Sequence, residues 1–303
     1  MVPRPAERRP FGEAALACQW GSWLERLEIG KAKLAMAKKG EKRVLRGRAG
    51  RMQGGRGSGR ASKGAVRLWG RHAVTAALNN PDRDINKIWA VRETLEEMVN
   101  AGEIELPEGV RVEYADGQDL ARLVSRDAPH QNIVIECEPL PELFLVDVAE
   151  GDPAAPIVVL DHVTDPHNVG AIMRSAAAFG AACIVTQDRH APPESGTLAK
   201  SASGALETLP WIRVVNLSRA LEEMAELGYW RIGLDGDGEA TLAEALPTGP
   251  VALVLGAEGD GLRYQVGQHC DQIARLPIAA AVESLNVSNA AAIALYACAM
   301  RGQ

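Results

Sequence analysis

Three polar loops carry the side chains able to do chemistry. The first, H-V-T-D-P-H-N-V-G-A-I-M-R (162–174), holds Asn168, Gly170 and Arg174. Asn168 is placed to cap a helix beginning near Val169, which sets Arg174 about two turns in. A guanidinium there can grip a phosphate or a polarised hydroxyl, and Gly170 lets another backbone come close. A capped helix with a surface Arg is the plain alternative. The second loop, G-A-E-G-D-G-L (256–262), packs Gly256, Gly259 and Gly261 around Glu258, a tight turn that a ligand can approach. Its G-x-x-G-x-G spacing is not the dinucleotide fingerprint G-x-G-x-x-G, so a Rossmann site is declined, and alone the run reads as an ordinary turn. The third, L-P-I-A-A-A-V-E-S-L-N-V-S (276–288), mixes Ser284, Asn286 and Ser288 with Leu276, Ile278 and Leu285. That mixture suits a flat adenine-like ring, with apolar contacts for its faces and backbone groups for its edges. The same S-L-N-V-S also reads as the cap of the helix that follows. His162 and His167 read as loop or cap residues, since no third ligand accompanies them, and no metal site is expected.

Each loop follows a short apolar run: I-V-V-L (157–160), V-A-L-V-L (251–255) and I-A-R-L (273–276), with A-C-I-V-T (182–186) a fourth. Continuous rather than alternating hydrophobicity marks strands buried on both faces, hence an α/β fold with a mostly parallel sheet covered by helices. In such sheets ligands sit beyond the carboxyl ends of the strands. This unit spans 156–303. Ahead of it, 64–145 reads as a smaller α/β domain. L-W-G-R-H-A-V-T-A-A-L (68–78) and T-L-E-E-M-V (94–99) have helical spacing; N-K-I-W-A-V (86–91), V-R-V-E-Y (110–114) and N-I-V-I-E-C (132–137) read as strands. The prolines of P-L-P-E-L (139–143) lead into a linker at 146–155.

A length of 303 residues allows two domains and a tail, and 47% hydrophobic with 24% charged residues excludes collagen-like, mucin-like and wholly disordered chains. No apolar run reaches the roughly 18 residues of a membrane span, so a soluble protein with no membrane partner is expected. The five cysteines are scattered without a C-x-x-C pair and no apolar signal segment opens the chain, which points to the reducing cytoplasm. The net charge of −6 averages two unlike regions. Residues 31–71 hold 14 Lys and Arg against Glu41 alone, a net +13, while 72–303 hold 15 against 34 acids, a net −19. The Gly- and Arg-rich segment 1–63 is expected to be a disordered basic arm suited to phosphate backbones, or else a solubilising tail. Within it 11–29 has amphipathic helical spacing, and Met36 is a candidate translation start.

N-V-G-A-I-M-R, G-A-E-G-D-G-L and L-P-I-A-A-A-V-E-S-L-N-V-S, in this order and each after a buried strand, closely resemble the three signature motifs of the SpoU (TrmH-like) family. These are S-adenosylmethionine-dependent RNA ribose 2′-O-methyltransferases of the SPOUT superfamily. The resemblance implies a deep trefoil knot in the C-terminal segment and a homodimer with its active site at the subunit interface. It assigns Arg174 to the 2′-hydroxyl, Asn168 and Glu258 to the catalytic pocket, and Ser284 and Asn286 to positions near the reacting groups. It also gives Gly256, Leu276 and Leu285 the backbone contacts to S-adenosylmethionine, with Ile278 a further contact. The front unit looks like the small RNA substrate-binding domain of one branch, and K-S-A-S-G-A-L-E-T-L-P (200–210) looks like a segment of that branch. That branch acts on a guanosine of 23S ribosomal RNA. A transfer-RNA 2′-O-methyltransferase and a non-catalytic, RNA-binding ribosome-assembly factor are the competing readings. Two positions depart from the pattern: Ala280 stands where the family commonly has Gly, and Ala297 where Glu is usual.

Overall fold

The structure, a computed structural model, describes residues 64–301 apart from 127, 150, 151, 153, 280 and 281. The basic arm, the 11–29 helix, the Met36 start and Ala280 lie outside the described residues.

The front unit runs β1 (Val66–Trp69), α1 (Arg71–Leu78), β2 (Ile85–Ala90), α2 (Arg92–Asn100), β3 (Arg111–Tyr114), α3 (Gly117–Leu123) and β4 (Ile133–Cys137). Its sheet has the order β1-β4-β2-β3, with β4 antiparallel to both neighbours and β2 parallel to β3. Leu68 and Trp69, expected in a helix, are the buried end of β1; the helix starts only after Gly70, whose φ of +87° turns the chain. Helix α3 has no clear signal in the hydrophobic pattern. It is set by Asp116, whose side chain accepts from the backbone N–H of Gln118 and Asp119.

The second unit follows a short α4 (Leu145–Ala149), which runs from the last expected residue of the front domain, the buried Leu145, into the expected linker. It continues as β5 (Ile157–Leu160), α5 (Pro166–Ala178), β6 (Cys183–Gln187), α6 (Gly196–Ala202), α7 (Ala205–Thr208), β7 (Trp211–Val214) and α8 (Leu217–Glu226). Then come β8 (Trp230–Leu234), β9 (Ala240–Thr241), α9 (Leu242–Ala245), β10 (Val251–Leu255), α10 (Tyr264–Gly267), β11 (Gln272–Arg275) and α11 (Val287–Ala299). Seven strands form one sheet in the order β7-β6-β5-β10-β8-β11-β9, and every pairing is parallel. Strands β5 and β10 are buried along their whole length, as their apolar runs require. Strands β7, β8 and β9 escape the sequence reading. In β8, W-R-I-G-L, a polar and a small residue interrupt the apolar run: Arg231 is tied to Asp271 at 2.6 Å, and a Cβ on Gly233 would meet Ile273 and Leu262 at 2.6 and 2.7 Å.

Register brings the chemistry to one edge. Leu160 pairs with Leu255 on one side and Thr186 on the other, and Leu255 pairs with Leu234, so Asp161, Gly256 and Asp235 leave the sheet level with Gln187, the last residue of β6. Helix α5 buries Val169, Gly170, Ile172, Met173 and Ala176. A Cβ on Gly170 would meet Ser201 Cβ at 2.6 Å and the Leu198 carbonyl at 2.7 Å, so only glycine lets α6 lie this close. The final helix turns Ala291, Ala294, Leu295 and Cys298 inward, with Ala297 partly buried against the core.

One apolar cluster runs unbroken from the front sheet (Leu68, Ile88, Ile135) into the second unit (Leu198, Leu206, Ile172). A buried polar network crosses the same junction. Arg83, its side chain 0% exposed, pairs with Glu207 at 2.6 Å and with Glu194, and donates to the Glu138 carbonyl at 2.9 Å. Asn80 Nδ2 donates to Glu207 at 2.8 Å. Cys137, Cys183, Cys270 and Cys298 are free thiols; burial pushes the first three up to about 12 and Cys298 to about 11, so none is a thiolate nucleophile at neutral pH. No helix among the described residues is long and apolar enough to cross a membrane.

Candidate active site

Three of the residues singled out above meet at the carboxyl edge of β5 and β10. Asn286 caps α11: its Oδ1 accepts from the Ser288 N–H at 2.9 Å. Its Nδ2 then donates to Asn168 Oδ1 at 3.0 Å and to Glu258 Oε1 at 2.5 Å, which uses both amide protons. Asn168 Nδ2 donates to the same Glu258 oxygen at 3.2 Å, and the Val287 N–H approaches it at 3.4 Å. Glu258 Oε1 is therefore saturated, whereas Oε2 has no partner among the described residues and the side chain is exposed. The amino ends of two 13-residue helices, α5 and α11, converge on this carboxylate, and their dipoles favour its negative charge.

Asn168 reaches this cluster because it does not cap the helix, contrary to the expectation above. Pro166, with no N–H to satisfy, takes the first helical position, and Asp165 becomes the cap, accepting from the His167 N–H at 3.0 Å. The Asn168 side chain is thereby released to face the glycine loop.

That loop holds Glu258 through its own geometry. A Cβ on Gly256 would lie 2.1 Å from the Gly261 carbonyl carbon, so the two arms of the turn touch backbone to backbone. Gly259 and Gly261 take φ of +86° and +63°, and the Gly261 N–H donates to the Ala257 carbonyl at 3.1 Å. Just past the loop, Arg263 donates to the fully buried Asp161 from its backbone N–H at 3.1 Å and from Nε at 2.7 Å, and reaches Gln187 at 3.1 Å. One side chain thus spans the ends of β10, β5 and β6. Asp161 and Arg263 escape the sequence reading. The available signal is an acid directly after a fully apolar strand and a base directly after a glycine run.

Beside the cluster lies a cleft of about 400 Å³ whose lining mixes Leu276, Pro277, Ile278 and Val282 with the charged Arg275 and Glu283. Ile278 is 40% exposed in it. Arg275 donates to the Gly238 and Glu239 carbonyls and so holds the β8 loop against this wall. Of the expected cofactor contacts, Leu276 and Ile278 line the cleft, Leu285 is half-buried next to Asn286, and Gly256 is in the neighbouring loop. Ser284 is exposed and makes no bond to the cluster among the described residues. Arg174 is also apart from it, exposed on α5 with no hydrogen bond or ion pair among the described residues. His167 Nδ1 lies 3.1 Å from Ser201 Oγ. Among the described residues no group of three or more His, Cys, Asp or Glu converges to hold a metal.

Comparison with known proteins agrees with this arrangement. Residues 155–296 match the SpoU rRNA Methylase family, and 67–143 match the RNA 2′-O ribose methyltransferase substrate-binding family. The 23S rRNA (guanosine-2′-O-)-methyltransferase RlmB of Ralstonia nicotianae is 40% identical over 237 residues, which cover 76% of this chain and 93% of that one. An uncharacterized tRNA/rRNA methyltransferase of Synechocystis is 40% identical over 235 residues, and the chain spans 61% of its length. Among solved structures, the SpoU methyltransferase AviRb from Streptomyces viridochromogenes in complex with AdoMet superposes with a TM-score of 0.64 at 25% identity, covering 78% of this chain and 89% of that one. With the matched motifs at one edge of a parallel sheet behind a matched front domain, the chain belongs to the SpoU rRNA methylase family.

Proposed function

We propose that this protein transfers the methyl group of S-adenosylmethionine to the ribose 2′-hydroxyl of a guanosine in 23S ribosomal RNA. The observation that carries this is the Asn168–Glu258–Asn286 cluster, in a chain 40% identical to a 23S rRNA guanosine-2′-O-methyltransferase over nearly that enzyme's full length. S-adenosylmethionine, when bound, supplies a methyl group already activated on a sulfonium, so the donor needs no metal. The residues fit it: the glycine turn, closed backbone to backbone at Gly256 and Gly261, presents main-chain groups rather than side chains beside the end of β10, Leu276 and Ile278 offer apolar surface to a flat ring, and Leu285 is half-buried next to Asn286.

The chain's own groups align the reactants and stabilise charge. Asn286 and Asn168 lock Glu258 so that Oε2 remains to accept from a reactant, and Ser284 provides a further hydroxyl at the mouth of the site. Arg174 orients the 2′-hydroxyl and stabilises the developing alkoxide. A guanidinium keeps its proton at neutral pH, which makes electrostatic stabilisation the easier role than proton abstraction.

The working form is a homodimer. Ile293, Tyr296 and Met300 form an exposed apolar stripe on α11, 46%, 54% and 44% exposed, with Phe179 edge-on to Tyr296 at 6.0 Å. A second copy covering this stripe would also meet the neighbouring α5, where Arg174 is exposed. Sedimentation of the full chain, compared with Tyr296→Asp, reads the dimer directly. By the family relationship, the C-terminal segment is threaded as a trefoil knot. The functional parts are a substrate-binding domain at 64–145, a linker at 146–155 and a methyltransferase domain at 156–303, acting in the cytoplasm, the compartment of ribosomal RNA.

The test is to incubate the protein with labelled S-adenosylmethionine and, separately, ribosomal and transfer RNA from a strain lacking it, then map 2′-O-methyl groups. Label at a single 23S guanosine is the expected result. Label confined to transfer RNA moves the substrate; none in either pool, despite cofactor binding, makes the protein an assembly factor.

The charge asymmetry gives a second expectation. With +13 in 31–71 against −19 beyond, the arm is the main electrostatic anchor for RNA. Deleting 1–63 raises the KM for RNA and flattens its salt dependence by about 0.7 log unit for each phosphate no longer neutralised, leaving cofactor affinity intact. An unchanged salt slope in the truncated chain contradicts this.

A further inference from the structure

The Asn168–Glu258–Asn286 cluster occupies the β5 and β10 side of the carboxyl edge. The β5 and β6 side carries groups with no part in it. His162, two residues past β5, holds φ at +57°, a conformation costly for a residue with a Cβ, and its buried Nε2 has no hydrogen-bond partner among the described residues. Its ring stacks on His190, three residues past β6, with centroids 3.9 Å apart and planes 28° from parallel. His190 is exposed. Next to it Arg189 is exposed too, with no hydrogen bond or ion pair among the described residues.

We propose that the exposed face of His190, backed by His162, is a platform on which the RNA substrate stacks a base flanking the methylated nucleotide, with Arg189 on a phosphate beside it. This rests on the reading of the chain as an RNA methyltransferase. Single-stranded RNA is held by stacking unstacked bases on aromatic rings, histidine included, and by cations along its backbone. A two-ring stack ending at solvent offers such a face, and the strained backbone at His162 is what seats the lower ring under the upper one. Desolvation lowers the pKa of His162, and Arg263 and His190 lower it further against the opposing pull of Asp161 and of a hydrogen bond with Gln187, a net lowering that disfavours a charged lower ring beneath its partner. The platform is also well placed. Strand β5 lies between β6 and β10, and two inter-strand spacings separate the ends of β6 and β10 by about 10 Å. A nucleotide at Glu258 and its neighbour at His190 therefore fall on one continuous strand of RNA. Arg263, bonded to both Asp161 and Gln187, holds the two sides in fixed relation. In a body of net charge −19, a cation left uncommitted at this edge has an RNA phosphate as its natural partner.

The experiment compares the full-length wild type with His190→Ala, His190→Phe and Arg189→Gln. It uses 23S ribosomal RNA from a strain lacking the enzyme, reading KM for RNA, filter binding of the same RNA, and cofactor Kd. His190→Ala should raise KM and weaken RNA binding about tenfold with cofactor Kd unchanged, and His190→Phe, which keeps an aromatic face, should stay within about twofold of wild type. Arg189→Gln should lower the salt slope by about 0.7. RNA affinity unchanged in His190→Ala, or lost equally in His190→Phe, overturns the platform, as does a matching loss of cofactor affinity. If wild type itself transfers no methyl group, the functional reading fails, while filter binding still decides the platform.

Discussion

Replacing Arg174 with alanine is expected to lower methyl transfer by about 10²- to 10³-fold, the usual cost of removing one group aimed at charge developing in a transition state. The structure makes this a clean test. Arg174 is exposed on α5 and makes no hydrogen bond or ion pair among the described residues, whereas the buried face of that helix belongs to Val169, Ile172, Met173 and Ala176. Removing the guanidinium therefore leaves packing, melting temperature and cofactor affinity as they were, and the loss appears in kcat. Arg174→Lys keeps the charge but loses the planar fork, so it should recover only part of the rate. A rate near wild type in Arg174→Ala, measured at saturating RNA and cofactor, would show that the alkoxide is stabilised elsewhere.

Replacing Arg83 with methionine is expected to destabilise the protein by about 3–5 kcal/mol, the cost of leaving buried carboxylates without their partner. Glu207 and Glu194 have side chains only 3% and 11% exposed; Asn80 and the Leu140 N–H donate to them, but their ion-pair partner is the Arg83 guanidinium. For a unit of this size the melting temperature should fall by roughly 10 °C. Because this ion-pair network ties the front sheet to the second unit, the KM for RNA should rise as well while cofactor affinity holds. Converting Glu207 and Glu194 to apolar residues in the same chain should restore much of the stability, since the penalty comes from the orphaned charges. A loss below about 1 kcal/mol in the single variant, by denaturant titration, would mean that water reaches the junction freely.

The two effects bear on separate links of the same chain of cause. Arg174 is the residue proposed to act at the reacting atoms; Arg83 joins the front sheet to the second unit through its ion pairs with Glu194 and Glu207. The family relationship speaks to the first through the matched motifs, whereas the second comes into view only with the buried junction.

Much of the fold is legible in the sequence where burial is total. I-V-V-L and V-A-L-V-L announce two-sided burial, and both are central strands of the parallel sheet with the expected loops at their carboxyl ends. Strand β8 is hidden because Arg231 and Gly233 break the apolar run, and each is explained by partners distant in sequence: Asp271 for the first, the side chains of Ile273 and Leu262 for the second. Asn168 reads as a cap because Asp, Asn and Ser compete for that role on nearly equal terms, and Pro166 tips the choice to Asp165.

What the sequence determined by itself is the three polar loops and the side chains they carry, the parallel character of the sheet and the opposed charges of arm and body, because composition and hydrophobic period are local properties. Only the tertiary structure decided which groups meet. Asn168 and Glu258 are 90 residues apart, Asn286 lies 118 beyond Asn168, and Arg83 and Glu207 are separated by 124. Their contacts exist because β10 inserts beside β5 and because one apolar core runs through both units. Strand order and core continuity come from packing the whole chain at once, and no window of neighbouring residues contains them.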